Sequence, residues 1–242
     1  MTGLPPPPPA LLDGASLFLD FDGTLVDFVI DPANAAVDEP LRTLLQQLSS
    51  RLDGRLAILS GRSLGELTDR MGLGPVAMAG SHGLERRSAD GRVTSAAIPP
   101  GLAKAKRAAR QFAEENGLLL ETKAAGVALH YRDSQHAEAA VDAFARKLAA
   151  ETSLDLQLGK CVRELRVSGA DKGDAVRAFM AEPPFNLGRP IVVGDDLTDE
   201  HAFIAAAALG GGAILVGDLR PTAAQYRLPT VKATLAWLSG AE

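Results

Sequence analysis

The segment "LFLDFDGTLVD", residues 17–27, ends an apolar run in two carboxylates, Asp20 and Asp22, followed by Gly23-Thr24. The run reads as a buried strand. Side chains alternate along a strand, so Asp20 and Asp22 project to one side while Phe21 faces away. Two carboxylates on one side repel each other. A divalent cation that prefers oxygen ligands removes that cost, and magnesium suits such a pair best. Capping of the next turn is the plainer use of two aspartates. A calcium loop does not fit, because it needs glycine at the sixth position and Gly23 stands at the fourth.

Three later segments add groups of compatible chemistry. "ILSGR" sets Ser60 and Gly61 after a second apolar run, where a hydroxyl and exposed backbone N–H groups suit a phosphate oxygen. "ADKGDAV" opens a helical pattern with Lys172. A cation suits a helix N-terminus poorly, and the misfit is relieved if an anion lies between the ammonium and the helix end. "IVVGDDLTDE" ends a further apolar run with Asp195 and Asp196, then Asp199 and Glu200. Such a density of acids is expensive without a cation, although Asp199 also suits capping of the helix that follows.

The elements that must hold these groups show a clear rhythm. Short apolar runs at 17–21, 55–59, 76–79, 190–193 and 213–216 alternate with helical patterns at 40–51, 63–71, 172–180 and 198–208. Strand–helix alternation predicts an α/β fold with a parallel sheet, its strands covered on both faces. Ligands of such sheets bind beyond the carboxyl ends of the strands, where the acid pair, Ser60 and the second acid cluster fall. The stretch 84–168 changes rhythm. Helical patterns at 102–116 and 135–151 are each followed by two strand-like runs: "LLLETK" and "GVALHYR", then "LDLQLGK" and "CVRELRV". That αββαββ order predicts a small α+β domain inserted into the first. The expected organisation is a disordered Pro-rich tail at 1–14, a core domain at 15–83 and 169–242, and an inserted domain at 84–168. The end of the chain, "VKATLAWLSG", reads as a helix whose apolar stripe (Val231, Leu235, Leu238) packs on its own sheet.

Bulk properties narrow the class of partner. The 242 residues are 46 % apolar and 23 % charged, enough to bury a substantial core. A net charge of −5 argues against a nucleic-acid partner. A single cysteine, Cys161, excludes an intrachain disulfide; with no signal-peptide pattern in "MTGLPPPPPA", the expected location is cytoplasmic. No apolar run reaches the ~18 residues of a membrane helix, so no membrane partner is expected.

Taken together, "DFDGTL", Ser60, Lys172 and "GDDLTDE" resemble, in order, the four motifs of the haloacid-dehalogenase-like phosphotransferase superfamily. The resemblance implies a Rossmann-like core and magnesium-dependent phosphoryl transfer through an aspartyl-phosphate. Asp20 would then be the nucleophile and Asp22 the general acid and base, with Ser60 and Lys172 holding phosphate oxygens. Magnesium would be held by Asp20, Asp195 and the backbone carbonyl of Asp22. Asp196 and Asp199 would stand behind these, holding waters or orienting Lys172. Further strings, "GSHGLE" at 80–85, "ALHYR" ending at Arg132 and "GKCVRELR" at 159–166, resemble the trehalose-6-phosphate phosphatases over about residues 15–239. This implies a C2-type cap for the insert and a sugar phosphate, trehalose 6-phosphate, as substrate. Lys160 and Glu164 become the first sugar-binding candidates, followed by Arg132 and Lys123, with Arg62, His82 and Gly83 facing the substrate from the core side. A separate trehalose-phosphate synthase is the implied partner. Rival readings are a mannosyl-3-phosphoglycerate or sucrose-phosphate phosphatase and a non-catalytic sugar-phosphate regulator. The last would be expected to have lost the nucleophile or metal acids, yet Asp20, Asp22, Lys172 and Asp195 all stand.

Overall fold

Every residue of strand β1 (Ala15–Asp20) is buried, so the strand must be paired on both edges and covered on both faces. It is flanked by β10 (Arg189–Gly194) and β2 (Leu56–Leu59), both parallel to it. The computed structural model of the protein describes residues 3–27, 37–72, 74, 76–123, 125–159, 161–167 and 171–240. In the first of two compact units the sheet continues through β3 (Ala77–Gly80) on one side and β11 (Gly212–Val216) and β12 (Tyr226–Leu228) on the other, all parallel. Two short antiparallel strands, β4 (Glu85–Arg87) and β5 (Val93–Ser95), extend it beyond β3, giving the order β12-β11-β10-β1-β2-β3-β4-β5.

The alternation of side chains divides the core in two. Leu17, Leu19, Ile58, Met78, Ile191 and Val193 pack with α1 (Glu39–Arg51), α2 (Leu64–Met71) and α7 (Val231–Ser239). Phe18, Ala57, Leu59, Val192 and Leu215 pack with α5 (Lys172–Met180) and α6 (Glu200–Ala208) through Val176, Phe179 and Phe203. Phe18 stacks on Phe185 with ring centroids 5.4 Å apart. Leu238 is buried and Leu235 packs against the first cluster, so the terminal helix does lie on its own sheet. Among the described residues no helix is long and apolar enough to cross a membrane.

The second unit contains α3 (Pro100–Asn116), β6 (Leu119–Lys123), β7 (Gly126–His130), α4 (Glu138–Thr152), β8 (Asp155–Gly159) and β9 (Val162–Arg166). Its strands form an antiparallel sheet in the order β6-β7-β9-β8. Ala113, Leu129 and Val141 form its core, with Phe112 and Phe144 stacked 4.1 Å apart beside it. Strand alternation puts the row Glu121, Ala128, Glu164 and Gln157 on the face opposite Leu129. That face is polar.

Two expectations on organisation need correction. Residues 84–95 belong with the first sheet, and the compact units are Met1–Ser95 with Ala170–Glu242, and Ala96–Gly169. The strands concerned are three residues each, half-buried or exposed, so they carry no periodic apolar signal. The described part of the Pro-rich start is not a disordered tail. Leu11 and Leu12, in a 3-10 turn at Pro9–Leu12, are buried, and the Pro5 carbonyl accepts a hydrogen bond from the Arg227 N–H at 3.0 Å. Prolines enter this arrangement with φ already fixed, so ordering them costs little against two buried leucines.

Candidate active site

Asp20 is the last residue of β1, Ser60 follows β2, residues 81–83 form a turn after β3, and Asp195 follows β10. The carboxyl ends of four adjacent strands thus deliver the groups singled out in the sequence to one place. Asp20, Asp22, Ser60, His82, Lys172 and Asp195 line a cavity of about 280 Å³.

Lys172 is the first residue of α5, after Asp171, whose side chain accepts the Asp174 N–H in a reciprocal cap. The ammonium is buried and lies 2.6 Å from Asp20 Oδ1 and 2.6 Å from Asp199 Oδ1. These carboxylates are the anions that make a lysine tolerable at this helix end. The other Asp199 oxygen accepts the N–H groups of Asp195 and Asp196, both at 3.0 Å. Both Asp199 oxygens are therefore taken by protein donors.

The charge balance of this group is negative. Asp20, Asp195 and Asp199 each offer an oxygen within 4.8 Å of the others, and Lys172 supplies one positive charge among them. Burial pushes Asp20 well above the ordinary carboxylate range; the pull of Lys172 opposes this, while Asp199 and Asp195 add to it. Burial, then Asp199, pushes Asp195 up to about 6. Burial works against the Lys172 ammonium, but Asp20 and Asp199 outweigh it and hold its pKa above the usual lysine value. A hard divalent cation relieves such a surplus, and an all-oxygen donor set is the kind magnesium takes. The backbone is shaped for this crowding. Gly23 has φ +82°, and a Cβ there would lie 2.2 Å from Asp195 Oδ2, so only glycine lets the β1 loop approach the acid.

The other expected site residues fall into distinct arrangements. Arg62 binds both oxygens of Asp22, Nε at 2.7 Å and Nη2 at 2.6 Å, and its guanidinium sits 5.8 Å from the Phe21 ring centroid. This hydrogen bonding raises the Arg62 pKa further. The resemblance had Arg62 facing the substrate; here Asp22 takes its fork. Ser60 Oγ accepts the Arg62 N–H at 3.1 Å. His82, in the left-handed region at φ +58°, lies against Gly61, where a Cβ would come within 2.7 Å of the ring. Gly83 serves a close approach: at φ +108°, its Cβ would meet the Asp171 carbonyl at 2.6 Å. Asp196 is exposed and its Oδ1 accepts the Leu197 N–H at 2.7 Å, capping the turn Leu197–Asp199.

In the second unit Lys123 and Glu164 form an ion pair at 2.8 Å. The two lie on strands either side of β7, Lys123 in register with Gly126 and Glu164 with Ala128; the missing Cβ of Gly126 would stand 3.3 Å from Glu164 Oε1. Arg132 is exposed beyond the end of β7. Lys160 lies outside the described residues. The flanking hairpin is held by Arg163, which donates to the carbonyls of Gly159 at 3.2 Å and Val162 at 3.0 Å.

Three residues of the first unit had no role read from the sequence. Glu85 Oε2 accepts the Leu64 N–H at 3.0 Å and the Ser81 hydroxyl at 3.1 Å, tying the Ser60 loop to the His82 turn. Glu200 and Arg220 pair beneath the second acid cluster. Glu85 stands in the quoted string "GSHGLE", which is the signal that could have found it.

The fold is that of the haloacid-dehalogenase-like hydrolases. A hydrolase of that type from Bacteroides thetaiotaomicron superposes with a TM-score of 0.67 at 14 % identity, over 93 % of this chain and 98 % of that one. The C-terminal domain of trehalose-6-phosphate phosphatase from C. albicans superposes with a TM-score of 0.78 at 24 % identity, over 99 % of each chain. At these identities the likeness concerns the fold alone. A family model described as Trehalose-phosphatase matches residues 18–231, and the chain belongs to that family of phosphatases. The trehalose-6-phosphate phosphatase of Escherichia coli K12 is 37 % identical over 224 residues, 91 % of this chain and 84 % of that protein.

Proposed function

We propose that the protein hydrolyses trehalose 6-phosphate to trehalose and inorganic phosphate through an aspartyl-phosphate on Asp20, with magnesium as the cation. The observation that carries this reading is the meeting, from segments far apart in the chain, of Lys172 with Asp20 and Asp199 at 2.6 Å each, with Asp195 offering an oxygen within 4.8 Å of theirs. Phosphate monoesters are among the slowest esters to hydrolyse, with enzymes supplying up to ~10²¹-fold acceleration. Positioning and charge neutralisation are what the reaction asks for.

In the first step an Asp20 oxygen attacks phosphorus and the bond to the sugar oxygen breaks. Asp22 gives that oxygen its proton. In the second step Asp22 takes a proton from water as the water attacks phosphorus and releases the Asp20 carboxylate. Lys172 and Ser60 neutralise and orient the non-bridging oxygens. Asp20, Asp195 and the Asp22 carbonyl are the groups to hold magnesium, which when bound supplies charge neutralisation at the phosphoryl group. Asp199 keeps Lys172 and the Asp195 backbone in place. For Asp22 to donate a proton, Arg62 must loosen its grip, and a substrate oxygen that takes over the guanidinium provides the occasion. Recognition of the sugar we assign to Glu164 and Lys123 on the polar face of the second unit and, from the resemblance alone, to Lys160. The kinship with the E. coli enzyme supports the trehalose ester over its mannosyl and sucrose counterparts. A separate synthase would supply the substrate in the cytosol.

The test is phosphate release from trehalose 6-phosphate, mannosyl-3-phosphoglycerate and sucrose 6-phosphate, each with magnesium and with chelator. The trehalose ester is expected to give the highest kcat/KM, with turnover lost in chelator. Faster turnover of either other ester overturns the substrate assignment. Turnover by Asp20→Asn overturns the nucleophile.

A further inference from the structure

The segment between β11 and β12 sends Arg220 back to the acid cluster. Its Nη2 donates to the backbone carbonyls of Asp196 at 2.7 Å and Asp195 at 3.2 Å. Its Nη1 pairs with Glu200 and donates to the Pro221 carbonyl at 3.2 Å. The second Glu200 oxygen accepts the Ala223 N–H at 2.8 Å, so the anchor of Arg220 is itself anchored. Arg220 and Glu200 are mostly buried, with about a fifth of each side chain exposed.

The Asp195 backbone is thus gripped from both edges. Asp199 holds the N–H groups of Asp195 and Asp196; Arg220 holds their carbonyls. The Asp195 side chain has little room to adjust, because it lies against Gly23 at a spacing that excludes a Cβ. An error in the backbone at 195 therefore passes directly to the carboxylate. We propose that Arg220, fixed by Glu200, is a positioning residue that sets the Asp195 carboxylate for the cation. The planar guanidinium suits the task, since a single ammonium cannot serve two carbonyls and a carboxylate in one plane. Groups that hold metal ligands in place typically carry ~10–100-fold in metal affinity.

The proposal rests on the reading that Asp195 holds the cation, and the experiment separates the two. Magnesium is titrated calorimetrically into chelator-treated wild type, Arg220→Ala, Arg220→Lys, Glu200→Gln and Asp195→Asn, with far-ultraviolet circular dichroism as the fold check. Arg220→Ala is expected to weaken magnesium binding by about tenfold or more, Arg220→Lys and Glu200→Gln by less. At saturating magnesium, KM for trehalose 6-phosphate in the Arg220 variants should stay within about threefold of wild type. A folded Arg220→Ala that binds magnesium within twofold of wild type overturns the proposal. If Arg220→Ala does not fold, Glu200→Gln decides: unchanged magnesium affinity there overturns it equally. If Asp195→Asn binds magnesium as wild type does, the reading of Asp195 fails, and this inference with it.

Discussion

Arg62 grips both carboxylate oxygens of Asp22, at 2.7 and 2.6 Å. A bidentate fork of this kind fixes orientation as well as charge, and lysine cannot reproduce it. Arg62→Lys should therefore act through Asp22. Loss of a general acid costs typically ~10²–10⁴-fold, and Asp22→Ala is expected to show that loss on trehalose 6-phosphate. Arg62→Lys should lose about tenfold or more on the same ester. In the first step, read as single-turnover release of the leaving group, an aryl phosphate whose leaving group departs unprotonated should suffer much less in both variants, because only the shared second step then needs Asp22. Equal first-step losses on the two substrates would break the link between Arg62 and proton transfer.

The raised pKa of Asp195 makes a statement about stability. Its value of about 6 exceeds the ordinary ~3.9. Between those values the folded protein holds a proton that the unfolded chain has released, so this group's contribution falls as pH rises. In metal-free protein at neutral pH the charged Asp195 is a cost of order 1 kcal/mol, allowing for screening at a partly open site. Asp195→Asn is expected to raise the Tm in chelator at pH 7, with the gain shrinking towards pH 4. Magnesium should raise the Tm of wild type and do less for the variant. Thermal melts at the two pH values check this, and a variant less stable than wild type at pH 7 in chelator contradicts it.

Gly23 permits two things at once, a positive φ and contact with Asp195. Gly23→Ala should cost about 1–3 kcal/mol of stability from backbone strain. Displacement of the acid should cost on the order of 10²-fold in kcat. Gly217, at φ +89° with nothing within 4 Å of where a Cβ would stand, is the control. Gly217→Ala should show comparable strain in chemical denaturation while turnover stays near wild type. Similar kcat losses in both variants would mean that strain, not collision, is responsible.

The Lys123–Glu164 pair at 2.8 Å spans β7 in the second unit. Lys123→Ala and Glu164→Ala are expected to impair turnover of trehalose 6-phosphate far more than that of a small aryl phosphate. A double-mutant cycle on kcat/KM should return a coupling of about 0.5–3 kcal/mol. Additive losses, or equal losses on both substrates, would remove the pair from sugar recognition.

The groups that meet in the cavity were legible because each ends a strand that reads as buried or opens a helix. An apolar run that stops at Asp20 leaves turn capping as the plain use of that residue, until Lys172 at a helix start, which asks for an anion, and the second acid cluster join it. What escaped notice depends on contacts between segments with no local pattern. Arg220 lies in "GDLRPTAAQ", where nothing distinguishes it from a solvated arginine; its role exists only once that loop folds back on Asp195. Strands β4 and β12 have three residues each, too few for a period to show. Gly83 is expected from the resemblance to face the substrate, and no local pattern shows the tight approach to the Asp171 carbonyl that also requires a glycine there.

The strap formed by the first residues bears on how the protein keeps to itself. Among the described residues strand β12 has one strand neighbour, β11, and its outward N–H at Arg227 is taken by Pro5. A proline-rich neighbour has no amide hydrogens to offer, so sheet growth halts there. Shortening the chain to the start of β1 would bare a sticky edge together with the cover that Leu11 and Leu12 provide. Clumping of such a shortened protein, with its catalytic groups intact, is the cost that these prolines spare it.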